Sequence, residues 1–127
     1  MLTDDQKALF DGKNFGHLAT VMPDGSPQVS PVWVEMDGED IIVNSAEGRV
    51  KTENIHRDPR VAISITAADD GYTMVAVRGR VVEMTHEGAE EGIDRLSRKY
   101  LGRDYEGRKP GMVRVIVRIR PEVVATM

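Results

Sequence analysis

Arg49 and Lys51 stand two residues apart just after Val43-Asn44-Ser45-Ala46-Glu47-Gly48, a segment with the form of a strand end and a tight turn. A short helix is expected from about Gly48 to Arg57, closed by Asp58-Pro59, because the residue before a proline is disfavoured in the helical region. Unpaired N–H groups at a helix start carry partial positive charge, and two full cations beside them make a place for a phosphate. Thr52 adds a hydroxyl donor and Asn54 lies one turn further on. Positions i and i+2 point to different sides of a regular helix, but within the first turn both reach an anion on the axis. The same residues also describe a solvated basic face paired with Glu47 and Glu53, and spacing alone leaves both readings open.

Gln28, Ser30, Pro31, Val32 and Trp33 form a second group. Pro31 removes a ladder donor, so this strand is an edge or carries a bulge. Trp33, the only tryptophan, shares a strand face with Val29, Pro31 and Glu35, opposite Gln28, Ser30, Val32 and Val34. A flat ring can lie across such a strand; a tryptophan there also serves as a core or interface anchor. His17, His56 and His86 are too dispersed for a metal site, and the serines show no nucleophile-elbow pattern. Asp69-Asp70 and Glu90-Glu91 have the form of solvated carboxylates. Arg78 and Arg80 flank Gly79, facing solvent or reaching a ligand across an interface.

These side chains must be held by a mostly β framework. Strands are expected at Phe15–Met22, Gln28–Met36, Asp40–Ser45, Arg60–Thr66, Tyr72–Met84 and Met112–Val124, the turns marked by Pro23-Asp24-Gly25, Asp37-Gly38 and Asp69-Asp70-Gly71. Gly79 marks a bulge or bend. Val113, Val115, Val117 and Ile119 alternate with Arg114, Arg118 and Arg120, the period-two pattern of a half-buried strand. Asp4 to Phe10 is a short first helix. The clearest helix is Glu87 to Leu101, with Thr85 as N-cap, Ala89, Ile93, Leu96 and Tyr100 inward, and Gly102 at its end. Six strands with two or three helices predict a small antiparallel β-barrel in one domain, residues 1–127.

The 127 residues are 40% hydrophobic and carry a net charge of −4, which suits one core and argues against nucleic-acid binding by bulk charge. There is no cysteine, which removes thiolate metal sites, iron–sulfur clusters and a thiol nucleophile. An acidic, polar N-terminus and the lack of a long apolar run point to a cytoplasmic protein away from membranes.

Taken in order, Gly16-His17-Leu18-Ala19-Thr20, Asp24-Gly25-Ser26-Pro27-Gln28, Pro31-Val32-Trp33, Asn44-Ser45, Arg49-Val50-Lys51-Thr52-Glu53-Asn54-Ile55, Asp58-Pro59-Arg60-Val61, Arg78-Gly79-Arg80-Val81 and Arg114 to Pro121 resemble the pyridoxamine 5′-phosphate oxidase-like split β-barrel group, and within it the deazaflavin-dependent (F420) branch. The resemblance spans roughly residues 14 to 125. It implies a homodimer with cofactor in grooves between subunits, the phosphate at Arg49 and Lys51, and the ring near Gln28 to Trp33 and Asn44-Ser45. It implies an oxidoreductase moving a hydride from reduced F420 to a small organic substrate; flavin mononucleotide (FMN) on the same scaffold, or a non-catalytic carrier of F420, flavin or haem, are the alternatives. Arg-x-Lys, in place of the adjacent Arg-Lys typical of FMN users, favours the deazaflavin. Without a long extension after Pro121, activity on pyridoxamine phosphate is not expected.

Overall fold

Alternating Val and Ile residues build the centre of the sheet. Val115, Val117 and Ile119 are fully buried, while Arg118 and Arg120 turn outward to Asp40. In the computed structural model, which describes residues 1–126, seven strands follow in chain order: β1 Gly16–Val21, β2 Pro27–Val32, β3 Val34–Asp37, β4 Asp40–Ala46, β5 Arg60–Ala67, β6 Asp70–Thr85 and β7 Arg114–Ala125. Three helices, α1 Asp4–Asp11, α2 Val50–Arg57 and α3 Ala89–Leu101, flank them. All pairings are antiparallel, in the order β2-β1-β5-β6-β7-β4-β3. Edge strands β2 and β3 are separated in the chain by Trp33 alone. Two edges joined by a single residue require the sheet to curl until they meet, so the expected mainly-β, antiparallel split barrel with flanking helices is the fold.

The strand count is seven among the described residues, against about six expected, because the segment Gln28–Met36 is two strands. Its first half pairs with β1 (Leu18 opposite Ser30) and its second with β4 (Val34 opposite Val43). Val32 and Val34 are both buried on either side of the break, so the alternation runs through it unchanged.

Two helix starts move as well. Thr85 does not cap α3; it extends β6, paired with Ile116, and the helix starts after Gly88 at φ +79°. Ala89, Ile93, Leu96 and Tyr100 are buried as expected, and Gly102 ends the helix at φ +77°, its N–H on Arg98 O at 3.0 Å. Helix α2 begins at Val50 rather than Gly48, which leaves Arg49 as its N-cap residue. Gly79 is the expected bulge: the β6–β7 register shifts there, and a Cβ at that position would lie 2.1 Å from Arg120 O. Among the described residues no helix is long and apolar enough to cross a membrane.

Candidate functional site

Helix α2 is pinned at both ends by polar groups that the core would otherwise leave unpaired. At its start, the hydroxyls of Ser45 and Thr52 share a buried hydrogen bond of 2.8 Å. Further along, Asn54 Nδ2 donates to Thr20 Oγ1 (3.0 Å), Thr20 donates on to Gln28 Oε1 (2.9 Å), and Arg57 donates to Asn54 Oδ1 (2.7 Å) and Val21 O (2.8 Å). These bonds lock α2 to β1, β2 and the end of β4. They also settle where four of the sequence-derived residues lie: Gln28, Ser45, Thr52 and Asn54 fix the helix and do not line the cavity beside it.

That cavity, about 250 Å³, is lined by Pro31, Val32, Trp33, Asn44, Arg49 and Lys51 from the sequence-derived set, joined by Phe15, Ile93, Tyr105 and Arg114. The strand-end, helix-start and edge-strand groups therefore converge on one place. Ser30, one residue before the lining, has the single buried side-chain polar atom without a hydrogen-bond partner among the described residues.

The aromatic wall comes from α3 and the chain after it. Trp33 stacks on Tyr100 at 5.4 Å between centroids and 7° between planes, and Tyr105 stands perpendicular to it at 6.4 Å and 88°. Tyr100 is itself fixed, its hydroxyl donating to Asn14 O (2.6 Å) and accepting from Val34 N (3.1 Å). Trp33 is thus both barrel hinge and site wall.

The cations are the unusual feature. Arg114, placed by alternation on the face of the last strand opposite Val115, is only 4% exposed. Its Nε donates to Asn44 Oδ1 at 3.0 Å, its guanidinium lies 5.2 Å from the Tyr105 ring centroid, and Asn44 Nδ2 is held by Ala89 O at 2.9 Å. Burial pushes the Arg114 guanidinium below its ordinary range, with Arg49 adding repulsion. Burial likewise lowers Lys51, reinforced by Arg49 and Arg114. None of the three makes an ion pair among the described residues: Glu47, one of the two carboxylates expected beside them, is taken by His56 (3.0 Å) and His86 (3.5 Å). Three mutually repelling cations on one apolar-walled cavity make a site for a flat molecule with an anionic group.

A family model described as pyridoxamine 5′-phosphate oxidase matches residues 2–127. Among solved structures, an F420 reductase is 32% identical, covering 99% of this chain and 100% of its own, with a TM-score of 0.89. A conserved hypothetical protein from Mycobacterium tuberculosis is 25% identical over 98% of this chain and 83% of its own, with a TM-score of 0.73. An FAD-binding protein from Mesorhizobium loti shares the fold at 21% identity and a TM-score of 0.69, covering 98% and 92%.

Proposed function

The chain belongs to the pyridoxamine 5′-phosphate oxidase family, and from that membership we propose that it is an F420-dependent oxidoreductase, passing a hydride from the reduced deazaflavin to a small organic acceptor. The observation that carries this reading is Arg114. A charge this buried without an ion pair costs several kcal/mol unless something neutralises it, and here it faces the same cavity as Lys51 and Arg49. The whole-length similarity to an F420 reductase supports the deazaflavin as the molecule that does so.

The residues fit such a group. Arg49, Lys51 and Arg114, with the first N–H groups of α2, hold the phosphate charge. Asn44 keeps the Arg114 guanidinium aimed, and Trp33, Pro31 and Phe15 present a flat apolar wall to a ring. When bound, the deazaflavin supplies the hydride; the chain binds, orients and excludes water. The cavity of about 250 Å³ is below the roughly 300–1,000 Å³ of ordinary small-molecule sites. Phe15, Val50 and Val113, in or next to its lining, are 53%, 54% and 46% exposed. A second copy covering these residues completes the groove, so the working unit is a homodimer.

Parallel titration with F420 and FMN of protein purified from a host that lacks F420 tests this. A colourless preparation that takes up F420 and, given the reduced coenzyme, oxidises it to F420 on adding an acceptor supports the reading. A yellow preparation with a flavin spectrum replaces it with the FMN enzyme, and tight F420 binding without turnover of any acceptor replaces it with a carrier.

A further inference from the structure

Residues 102–113 join α3 to β7 without a helix or strand of their own, and connections of this length in small domains are commonly functional loops. The path is nonetheless defined. Tyr105 N donates to Asp94 Oδ1 (2.9 Å), Ser97 Oγ donates to Arg103 O (2.6 Å) and Arg98 pairs with Asp104 (2.6 Å). Arg108 gathers the loop, donating to Asp94 (3.1 and 2.9 Å), to Glu90 O (3.2 Å) and to Tyr105 O (2.8 Å). Every one of these anchors outside the loop is on α3. What the loop lays over the cavity is the Tyr105 ring, set perpendicular to Trp33 and against the Arg114 guanidinium. The backbone of Gly107 backs that ring: a Cβ there would lie 2.4 Å from the Tyr105 hydroxyl oxygen.

We propose that the 102–113 connection is a lid on the cavity, latched to α3 by Arg108, and that Tyr105 is the specificity residue that admits a planar conjugated anion against Trp33 by swinging away from it. The latch is built from side chains that are 40% (Arg108), 56% (Glu90) and 20% (Asp94) exposed, so salt weakens it. Arg114 links the lid to the ligand. It is shared between the Tyr105 face and the cavity, so an anion that draws the guanidinium toward itself removes one of the two contacts holding the ring. The identity of the anion as F420 rests on the reading given under Proposed function; the lid itself does not.

Trp33 is the sole tryptophan, and its emission reports on the lid. In ligand-free protein, Arg108→Gln and Asp94→Asn should raise acrylamide quenching of Trp33 by about twofold, as a loop released from its anchors opens more often. Raising NaCl from 0.05 to ~0.5 M should bring the unaltered protein toward the variants and leave Arg108→Gln where it is. In stopped-flow mixing with F420, Arg108→Gln should speed both association and dissociation by about threefold while Kd changes much less. Quenching equal to that of the unaltered protein in both variants, with helicity intact by circular dichroism, overturns the lid. Raised quenching with unchanged F420 rates overturns it too, since the loop would then move without guarding the cavity. If F420 does not bind the unaltered protein, the cofactor reading fails, and the quenching and salt series still decide whether the lid exists.

Discussion

Arg114 keeps its positive charge with no ion pair among the described residues: its direct contacts are an amide oxygen, a thioether and the Tyr105 side chain, and Glu90 acts on it only from a distance. If such a group serves a ligand, it does so at the expense of the fold, and the two effects separate on substitution. Arg114→Met should leave thermal stability unchanged or raise it by about 1 kcal/mol, because an apolar side chain of similar length replaces a desolvated charge. The same variant should lose one to two decades of F420 affinity, as should Lys51→Ala, from a charge-assisted contact of about 1.5–3 kcal/mol. Calorimetry and titration on the same preparations check both arms, and loss of stability with retained affinity would make Arg114 a structural residue. Lys51 adds a pH signature. Its pKa is lowered by burial and by the neighbouring cations, while a bound anion pulls it back up. F420 affinity from this group should therefore be complete below the lowered pKa and fall as pH rises through it, ahead of the ordinary lysine value of 10.5. For the fold the sign is opposite: the unfolded chain binds the extra proton in that window, so stability rises with pH there. An affinity profile flat from neutral pH to the ordinary lysine range would remove Lys51 from the anion site. Lys51 was legible from its place after a turn; Arg114 was not, because alternation reports only that it is opposite Val115, and whether that side is solvent or site depends on which strand end lies beside it.

At the scale of elements, what decides legibility is whether the cause is local. Helix α3 has its apolar positions at helical spacing and a left-handed glycine at its C-terminal end, and both are written in adjacent residues. The break at Trp33 has a distant cause. Strands β2 and β3 share one alternation, with Val32 and Val34 inward, yet pair with β1 and β4 at opposite edges of the sheet, and nothing between Gln28 and Met36 names those partners. Thr85 is similar: a good cap by type, it is held in the ladder by Ile116 across the sheet. Gly79 shows a cause that is half local. A glycine within a strand marks a bulge, but the reason no side chain fits is the carbonyl of Arg120, with a Cβ contact of 2.1 Å. Backbone cannot yield as a side-chain end can. Gly79→Ala should thus destabilise by about 3 kcal/mol, the upper part of the range for overpacking. Gly71→Ala, at the start of β6 with nothing within 4 Å, should change stability by less than about 0.5 kcal/mol. Urea denaturation of the pair reads the difference, and equal midpoints would mean that β6 and β7 separate at the bulge at little cost.

For the molecule as a whole, the curled sheet explains why residues far apart in the chain share one cavity. Closing the barrel at Trp33 brings the edge-strand residues Pro31 and Val32 to the end of β4, where the chain turns through Gly48 into α2 with its cations. The family was legible because these short motifs occur in a fixed order. The cavity wall supplied by Tyr105 was not, since it comes from an irregular segment whose path is set by Arg108 and Asp94 rather than by any periodicity. Groove and dimer are then one equilibrium. If a second copy covers Phe15, Val50 and Val113, a ligand bound in the groove stabilises folding and association together. F420 at a hundredfold excess over Kd should add about 2.7 kcal/mol, a rise in melting temperature on the order of 10 °C for a chain of this size. It should also shift a diluted sample toward the dimer in sedimentation. At the same F420 concentration Arg114→Met, one to two decades weaker, should keep only about 0.4–1.4 kcal/mol of that gain, with a correspondingly smaller shift toward the dimer, while remaining folded. A melting shift that is the same for monomer and dimer would place the anion site wholly within one protomer, because linkage requires a ligand that prefers the dimer to pull the subunits together by the same free energy with which the dimer holds it.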